Sequence, residues 1–483
     1  MKKNPSFLIQ TLGCKLNQLE SEAITDTFLK AGFTAAQSGE SASVIVINTC
    51  TVTSKADQKA RRLIRKVLRD YPDSQVIVTG CYAQLDKDEL QKLDDGNPQR
   101  LYIIKKDEIL EFISKNFLEE ISHGGTEAQS LINENNPCKS VKISGHYYPS
   151  GQFEFNPEKF SSHTRSFLKI QDGCDNKCTY CRIRLARGQS ISLDAEEVLS
   201  RLRMLEKNHA EAVLTGVNIC QYGKKILTTE DTEEHGGRES SRDIINNKNF
   251  NLAELLDYLL SNTEKINIRL SSLEPESINE DFVKIISHKR IRPHFHLSVQ
   301  SCSETVLKRM GRNYNSQIIE KTVTLLRSVK DDPFIACDII TGFPGETKNE
   351  FEQTYKLCQK LDFAWIHVFP YSKRKGTPAY SFKENVTDNE VKKRVALFTG
   401  LAEKGKIAYI QRWLGREADV IVENRNNDKK QGVCYGVTEN YLKALVLHNE
   451  DHDLKPGEVF RCRVVKKGKN KDYDVETVLM RRV

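Results

Sequence analysis

The stretch VIVINTC, residues 44–50, decides the first fold assignment. Four β-branched apolar residues in a row, with no polar alternation, are the pattern of a strand buried on both faces of a parallel sheet. The run closes on Cys50. Two other segments share the design: FLIQTLGC, residues 7–14, closes on Cys14, and VIVTGC, residues 76–81, closes on Cys81. The helical patterns ESEAITDTFLKAG and KADQKARRLIRKVLRD separate the three runs. This alternation predicts a doubly wound α/β domain over residues 5–118. Ligands of such sheets sit outside the carboxyl ends of the strands, so Cys14, Cys50 and Cys81 are expected to converge although they are far apart in sequence. Each alone reads as a buried core thiol; three at equivalent strand ends favour a shared site.

Beyond this domain, residues 119–162 turn polar and irregular and read as a linker. Over 163–395 six strand-like runs recur, SFLKIQ, EAVLTGV, INIRLSS, HFHLSVQ, FIACDIITG and WIHVFPY, with helical patterns between them. They predict a partial (β/α)6 barrel. Asp194 followed by Glu197 resembles a capping box opening the first barrel helix. Residues 224–250 lack apolar periodicity and read as a surface insertion. Over 405–483, EADVIVEN, GVCYGVTEN, YLKALVLHN and EVFRCRVVKKG suggest a small all-β barrel.

Composition narrows the class. The 483 residues are 38% hydrophobic and 29% charged, and no apolar run approaches the roughly 20 residues that span a bilayer. The start lacks the long apolar core of a secretory signal. A soluble, cytoplasmic protein without a membrane partner is expected. Thirteen cysteines are an odd number for a disulfide framework, which favours ligand roles. The net charge is +7, and from Lys404 onward 17 Lys and Arg stand against 12 Asp and Glu. A basic C-terminal unit fits a polyanionic partner.

The stretch DGCDNKCTYC, residues 172–181, places Cys174, Cys178 and Cys181 within grip of one metal centre and supplies no fourth thiolate. A four-iron cube normally takes four cysteines, so three leave one iron open to a substrate or cofactor. The alternative is structural zinc completed by a histidine such as His163. Structural zinc sites usually pair their cysteines through short loops at two separate places, which this segment does not do.

The CxxxCxxC spacing with an aromatic before the last cysteine resembles the radical S-adenosylmethionine superfamily. That resemblance implies a [4Fe-4S] cluster on Cys174, Cys178 and Cys181 whose open iron is chelated by S-adenosylmethionine, the source of a 5′-deoxyadenosyl radical. With Cys14, Cys50 and Cys81 and a terminal barrel, nearly the whole chain resembles the methylthiotransferase family. There the early cysteines hold a second [4Fe-4S] cluster that carries the sulfur to be inserted, and two molecules of S-adenosylmethionine are used per product.

TLGCKLN around Cys14 and LTGVNICQYG at 214–223 are similar to the branch that methylthiolates C2 of N6-threonylcarbamoyladenosine at tRNA position 37. The isopentenyladenosine branch tends to show Gln-Met-Asn after the first cysteine, and the ribosomal-protein aspartate branch Pro-Lys-Asn with a more acidic terminal barrel. Two departures stand out: RIRLARG follows Cys181 where relatives have an Ile-Ile-Pro-like run, and Cys302 occupies a usual glycine position. The resemblance implies tRNA as partner, not DNA, and an electron donor such as a flavodoxin or ferredoxin. A non-catalytic zinc-containing RNA-binding protein is the distant rival.

The resemblance further implies that Tyr180, Gly216, Asn218, Arg269, Ser271, Gln300 and Asp338 contact S-adenosylmethionine, since all fall at or after expected strand ends, where barrel sites assemble. On the helix after Cys50, Lys55, Lys59, Arg62, Lys66 and Arg69 share one face, with Ala56, Ala60, Leu63 and Val67 on another. This ridge, with Lys466, Lys467 and Lys469 of the terminal barrel, is the expected RNA-binding surface. No catalytic acid or base is expected beyond the cluster ligands. Cys138, Cys220, Cys302, Cys337, Cys358, Cys434 and Cys462 receive no role.

Overall fold

A computed structural model describes residues 5–37, 39–93, 100–118, 165–224, 250–423, 432–449, 454–469 and 472–483, with 142–143, 146–147, 153, 155 and 157. Most of the expected linker and insertion, Cys138 and His163 lie outside the described residues.

The amino-terminal strands are β1 (Ser6–Thr11), β2 (Thr34–Ala35), β3 (Val44–Thr49), β4 (Gln75–Gly80) and β5 (Leu101–Ile103). They form one parallel sheet in the order β2-β1-β3-β4-β5. Helix α1 (Lys15–Lys30) covers one face and α2 (Ser54–Asp70) the other. Val44 and Val46 pack with Ala23, Ile24 and Phe28 of α1, while Ile45 and Ile47 pack with Ala60, Ile64 and Val67 of α2. Burial on both sides is why β3 has no polar alternation.

The six expected central runs are strands β6 (Ser166–Lys169), β7 (Glu211–Thr215), β8 (Asn267–Leu270), β9 (His294–Gln300), β10 (Phe334–Thr341) and β11 (Trp365–Pro370). They make two parallel three-stranded sheets, β6-β7-β8 and β9-β10-β11, joined by isolated parallel bridges Ile268–Ile291 and Leu273–Leu297. The result is a barrel missing its last strands. On β9, Phe295, Leu297 and Val299 enter the core against the surrounding helices; His294, His296, Ser298 and Gln300 therefore face the lumen, since side chains alternate. On the opposite wall, Leu19 of α1 packs against Phe167 and Val213, so the amino-terminal domain rests on β6 and β7 and covers part of the open side of the barrel.

Helix α3 (Ala195–Glu206) begins at Asp194, which accepts from the backbone N–H of Glu196 and Glu197. The expected capping box is incomplete, because the Glu197 carboxylate turns instead to Arg201, 2.7 Å away. Helix α4 (Asp388–Trp413) runs along β11 into a closed five-stranded barrel. Its strands are β12 (Glu417–Val422), β13 (Val433–Thr438), β14 (Lys443–Leu447), β15 (Val459–Lys467) and β16 (Val475–Arg482). The last, ending in exposed Met480, Arg481 and Arg482, is too polar at its end to be read from the sequence.

A buried ionic cluster joins the first two domains. Glu20 of α1 lies 2.6 Å from Lys106 and 3.2 Å from Arg187; Arg187 and Lys106 each lie 3.2 Å from Asp172, which also receives Lys169. Glu20 and Asp172 are each 1% exposed and Arg187 6%. Its three cations hold the Asp172 carboxyl well below the usual carboxylate range despite its burial. A second clamp is Arg374, 2.6 Å from Asp57 and 2.8 Å from the Thr51 carbonyl. Removing one partner of a buried pair strands the other charges. Arg187→Met is expected to lower stability by about 3–5 kcal/mol, measured by urea denaturation, and Arg187→Lys by less.

Candidate functional site

The strand order of the first domain reverses between β1 and β3, the position where ligands of such sheets bind. Cys50 and Cys81 directly follow Thr49 and Gly80, which are register partners on β3 and β4. Cys14 reaches the same edge through Leu12, whose N–H donates to the Asn48 carbonyl at 2.8 Å. Gly13 and Gly80 make this convergence possible. Both have positive φ, 133° and 94°, and a Cβ on Gly13 would sit 2.9 Å from the Cys50 Cβ. Buried Asn17 braces the group: its Nδ2 donates at 3.0 Å to Asn48 Oδ1 and to the Thr49 carbonyl, and its Oδ1 accepts from Cys14 Sγ at 3.3 Å.

The second triplet occupies the loop after β6. The N–H of Cys174 donates to the Gly188 carbonyl at 3.2 Å, that of Thr179 to the Met310 carbonyl at 2.9 Å, and that of Cys181 to the Cys178 carbonyl at 3.2 Å. Arg312 approaches Cys178 Sγ at 3.5 Å and Glu274 at 3.1 Å. Burial pushes the Cys50 and Cys181 thiols up to about 12 and raises those of Cys81, Cys174 and Cys178. Such thiols become thiolates only against a compensating cation, which suits metal ligands. Among the described residues no three His, Cys, Asp or Glu side chains are grouped for a single metal ion. Within each triplet the thiols lie close enough to act on one another, Cys50 with Cys14 and Cys81, and Cys181 with Cys178 and Cys174; three thiolates are a donor set of the kind a [4Fe-4S] cluster takes.

One cavity of about 300 Å³ lies between the triplets, lined by Thr51, Val52 and Cys81 from one domain and by Cys174, Cys178 and Cys181 from the other. Of the residues expected to contact S-adenosylmethionine, Tyr180, Asn218, Gln300 and Asp338 line it. Gly216 sits one layer behind: a Cβ there would lie 2.8 Å from Gln171 Oε1, which accepts from the Asn218 N–H at 2.8 Å. Arg269 and Ser271 are outside the lining. Arg269 is fully buried and bonded at 2.6 and 2.9 Å to Glu211, at the start of β7, which draws its guanidinium to the far end of the barrel. Ser271 is buried beside Leu214. Sequence reasoning missed Asn176, Glu274, Ser298 and Arg312, which line the cavity; for Ser298, the two-residue alternation along HFHLSVQ was the available signal.

Cys302 is buried in the barrel's outer core with Cys358, their sulfurs 3.9 Å apart, away from the cavity. Arg182 and Arg187 of RIRLARG bond to Asp86 and Glu20, so this segment docks the first domain. On α2, Lys55, Lys59, Arg62, Lys66 and Arg69 are exposed, and Arg69 pairs with Asp70 at 2.9 Å. The buried face of α2 is Asp57, Ala60, Ile64, Val67 and Leu68; Ala56 and Leu63, expected on it, are half-buried. Lys466, Lys467 and Lys469 are exposed at the end of β15 and beyond. No helix of the described residues is long and apolar enough to cross a membrane.

Comparison with known proteins gives two family matches, uncharacterized protein family UPF0004 over residues 6–98 and the radical SAM superfamily over 168–358. Among curated relatives, threonylcarbamoyladenosine tRNA methylthiotransferase MtaB of Treponema pallidum is 38% identical, covering 96% of this chain and 99% of that protein. The proteins of the same name from Thermotoga maritima and Bacillus subtilis are 35% and 32% identical, over 94% and 95% of this chain and 93% of each relative.

Asn17→Leu removes the donors to Asn48 and Thr49 and leaves buried acceptors unpaired. The expected loss is about 1–3 kcal/mol of apoprotein stability, read by urea denaturation.

Proposed function

The chain belongs to the radical SAM methylthiotransferase family, in its threonylcarbamoyladenosine branch, and from that premise we propose that it replaces the C2 hydrogen of N6-threonylcarbamoyladenosine in tRNA, at position 37, with a methylthio group. The observation that carries the reading is the single cavity opening onto Cys81 and onto Cys174, Cys178 and Cys181. Sulfur insertion needs a sulfur donor and a site of C–H activation facing one substrate atom, and this arrangement provides room for that atom.

In this reading Cys174, Cys178 and Cys181 hold one [4Fe-4S] cluster, and Cys14, Cys50 and Cys81 hold the second. Bound at the first, S-adenosylmethionine supplies the one-electron chemistry that activates an unreactive C–H bond. The chain's own residues orient and shelter the reactants. Tyr180, Asn218, Gln300 and Asp338 contact S-adenosylmethionine, with Glu274, Asn176 and Arg312 added to them. Gln171 fixes the Asn218 backbone, and Arg312 links Glu274 to the Cys178 sulfur. Exposed Val52 and Phe369 lie at the cavity and offer apolar surface to a base leaving its stack.

The ridge on α2 starts beside Thr51 and Thr53 of the cavity, and Lys55, Lys59, Arg62 and Lys66 have no ion-pair partner among the described residues. We assign it to the tRNA backbone, together with Lys466, Lys467 and Lys469. The division into 5–118, 163–395 and 405–483 then corresponds to sulfur donation, radical chemistry and RNA binding. Electrons come from a donor of the flavodoxin or ferredoxin class.

Anaerobic reconstitution is expected to give about eight irons per chain, falling to about four when either triplet is changed to alanine; zinc with little iron would refute the reading. Mass spectrometry of tRNA nucleosides from a strain lacking the protein, and no other such enzyme, should show threonylcarbamoyladenosine without its methylthio derivative. Neutralising Lys55, Lys59, Arg62 and Lys66 together should weaken tRNA binding and flatten the slope of log affinity against log salt by about 3.

A further inference from the structure

Beneath the cavity, polar side chains run on from Asp338 down the barrel lumen. Asp338, on the cavity wall, bonds His296 Nε2 at 3.0 Å, and His296 Nδ1 meets Ser272 Oγ at 3.0 Å. His367, the register partner of Asp338 on β11, lies 5.2 Å from His296 with the rings tilted by 56°. The far end is closed by Tyr441 of the terminal barrel, held in the left-handed conformation at φ 72°. The Tyr441 ring lies 4.3 Å from His294, 5.0 Å from the Arg269 guanidinium and 5.2 Å from that of Arg165.

Lys15 of α1 lies near this group, and its charge acts on both His294 and His367. Lys15 has no hydrogen-bond or ion-pair partner among the described residues. Its ammonium lies 5.9 Å from the centre of the Tyr441 ring, the outer limit for a cation over an aromatic face, and two guanidiniums lie closer to that ring. The nearby carboxylates are engaged, Glu211 by Arg269 and Arg292 and Asp338 by His296. Buried His294 Nδ1 has no partner. A half-buried ammonium among other cations, with no carboxylate of its own, is a site prepared for an incoming anion.

Resting on the methylthiotransferase reading, we propose that Lys15 receives the carboxylate of the threonylcarbamoyl group and so selects the substrate. Cys14 is the N-cap and Lys15 the first residue of α1, so a ligand of the sulfur-donating centre and the ammonium are fixed to one helical turn. Adenine C2 and C6, the carbon that carries N6, flank the same ring nitrogen. Anchoring the acid at the end of the N6 substituent therefore sets where C2 stands relative to Cys14. A neutral alkyl substituent gains nothing from Lys15 and leaves it desolvated without a partner, which excludes it.

The test uses the reconstituted full chain and three synthetic anticodon stem–loops, bearing unmodified adenosine, threonylcarbamoyladenosine, or its carboxamide in which the acid is neutral. Dissociation constants are measured by fluorescence anisotropy. The wild type should bind the acid at least about tenfold tighter than the carboxamide, the scale of one charge-assisted hydrogen bond. Lys15→Met should bring that ratio close to one, and Lys15→Arg should keep most of it. Equal binding of acid and carboxamide by the wild type, or an unchanged ratio in Lys15→Met, overturns the proposal. The wild-type comparison decides the matter even if Lys15→Met loses iron. Preference for the acid over unmodified adenosine reports separately on the substrate reading, which stands if that preference survives while the carboxamide binds equally well.

Discussion

The buried cluster of Glu20, Lys106, Lys169, Asp172 and Arg187 is the constraint from which the geometry of the molecule follows. Ion pairs this deep contribute little net stability, because desolvation offsets most of their attraction. What they impose is register: a shifted docking of the amino-terminal sheet on the barrel would part these buried charges from their partners. That docking turns the β1/β3 switch point towards the loop carrying Cys174, Cys178 and Cys181. Arg187 also lies close enough to Cys81 and Cys14 to act on their thiols. Burial lowers the Lys169 ammonium to about 7, so Lys106 and Arg187 are the cations that balance the two carboxylates.

Much of this was legible in the sequence because it is local. The β-branched runs, the cysteines closing them and the six barrel strands all follow from periodicities of a few residues. The glycines before Cys14 and Cys81 were visible as letters, yet their purpose, the close approach of neighbouring strands, appears only in three dimensions. Arg269 shows the limit more sharply. It follows the apolar start of INIRLSS at a strand end, as a cofactor contact would, but the carboxylate of Glu211 takes it to the other end of the barrel. No property of either residue alone indicates the pair.

The same holds for RIRLARG. Read against relatives it was a departure in the pocket; in the structure its arginines are tied to Asp86 and Glu20 of the neighbouring domain, and its apolar face meets the cavity through Ile183 and Ala186. A segment following a cluster loop thus serves packing between domains as much as cofactor binding. Asp57 of α2 is likewise buried, paired with Arg374 across the domains.

The incomplete barrel has a consequence for what can enter. A full ring of eight strands is a cup, reached only from its rim and suited to metabolites. Six staves leave a slit down one flank, and here α1 fills only part of it, with Phe369 and His367 still open to water. A long polymer can lie across such a slit and tip a single unit inward without its ends ever passing through the vessel.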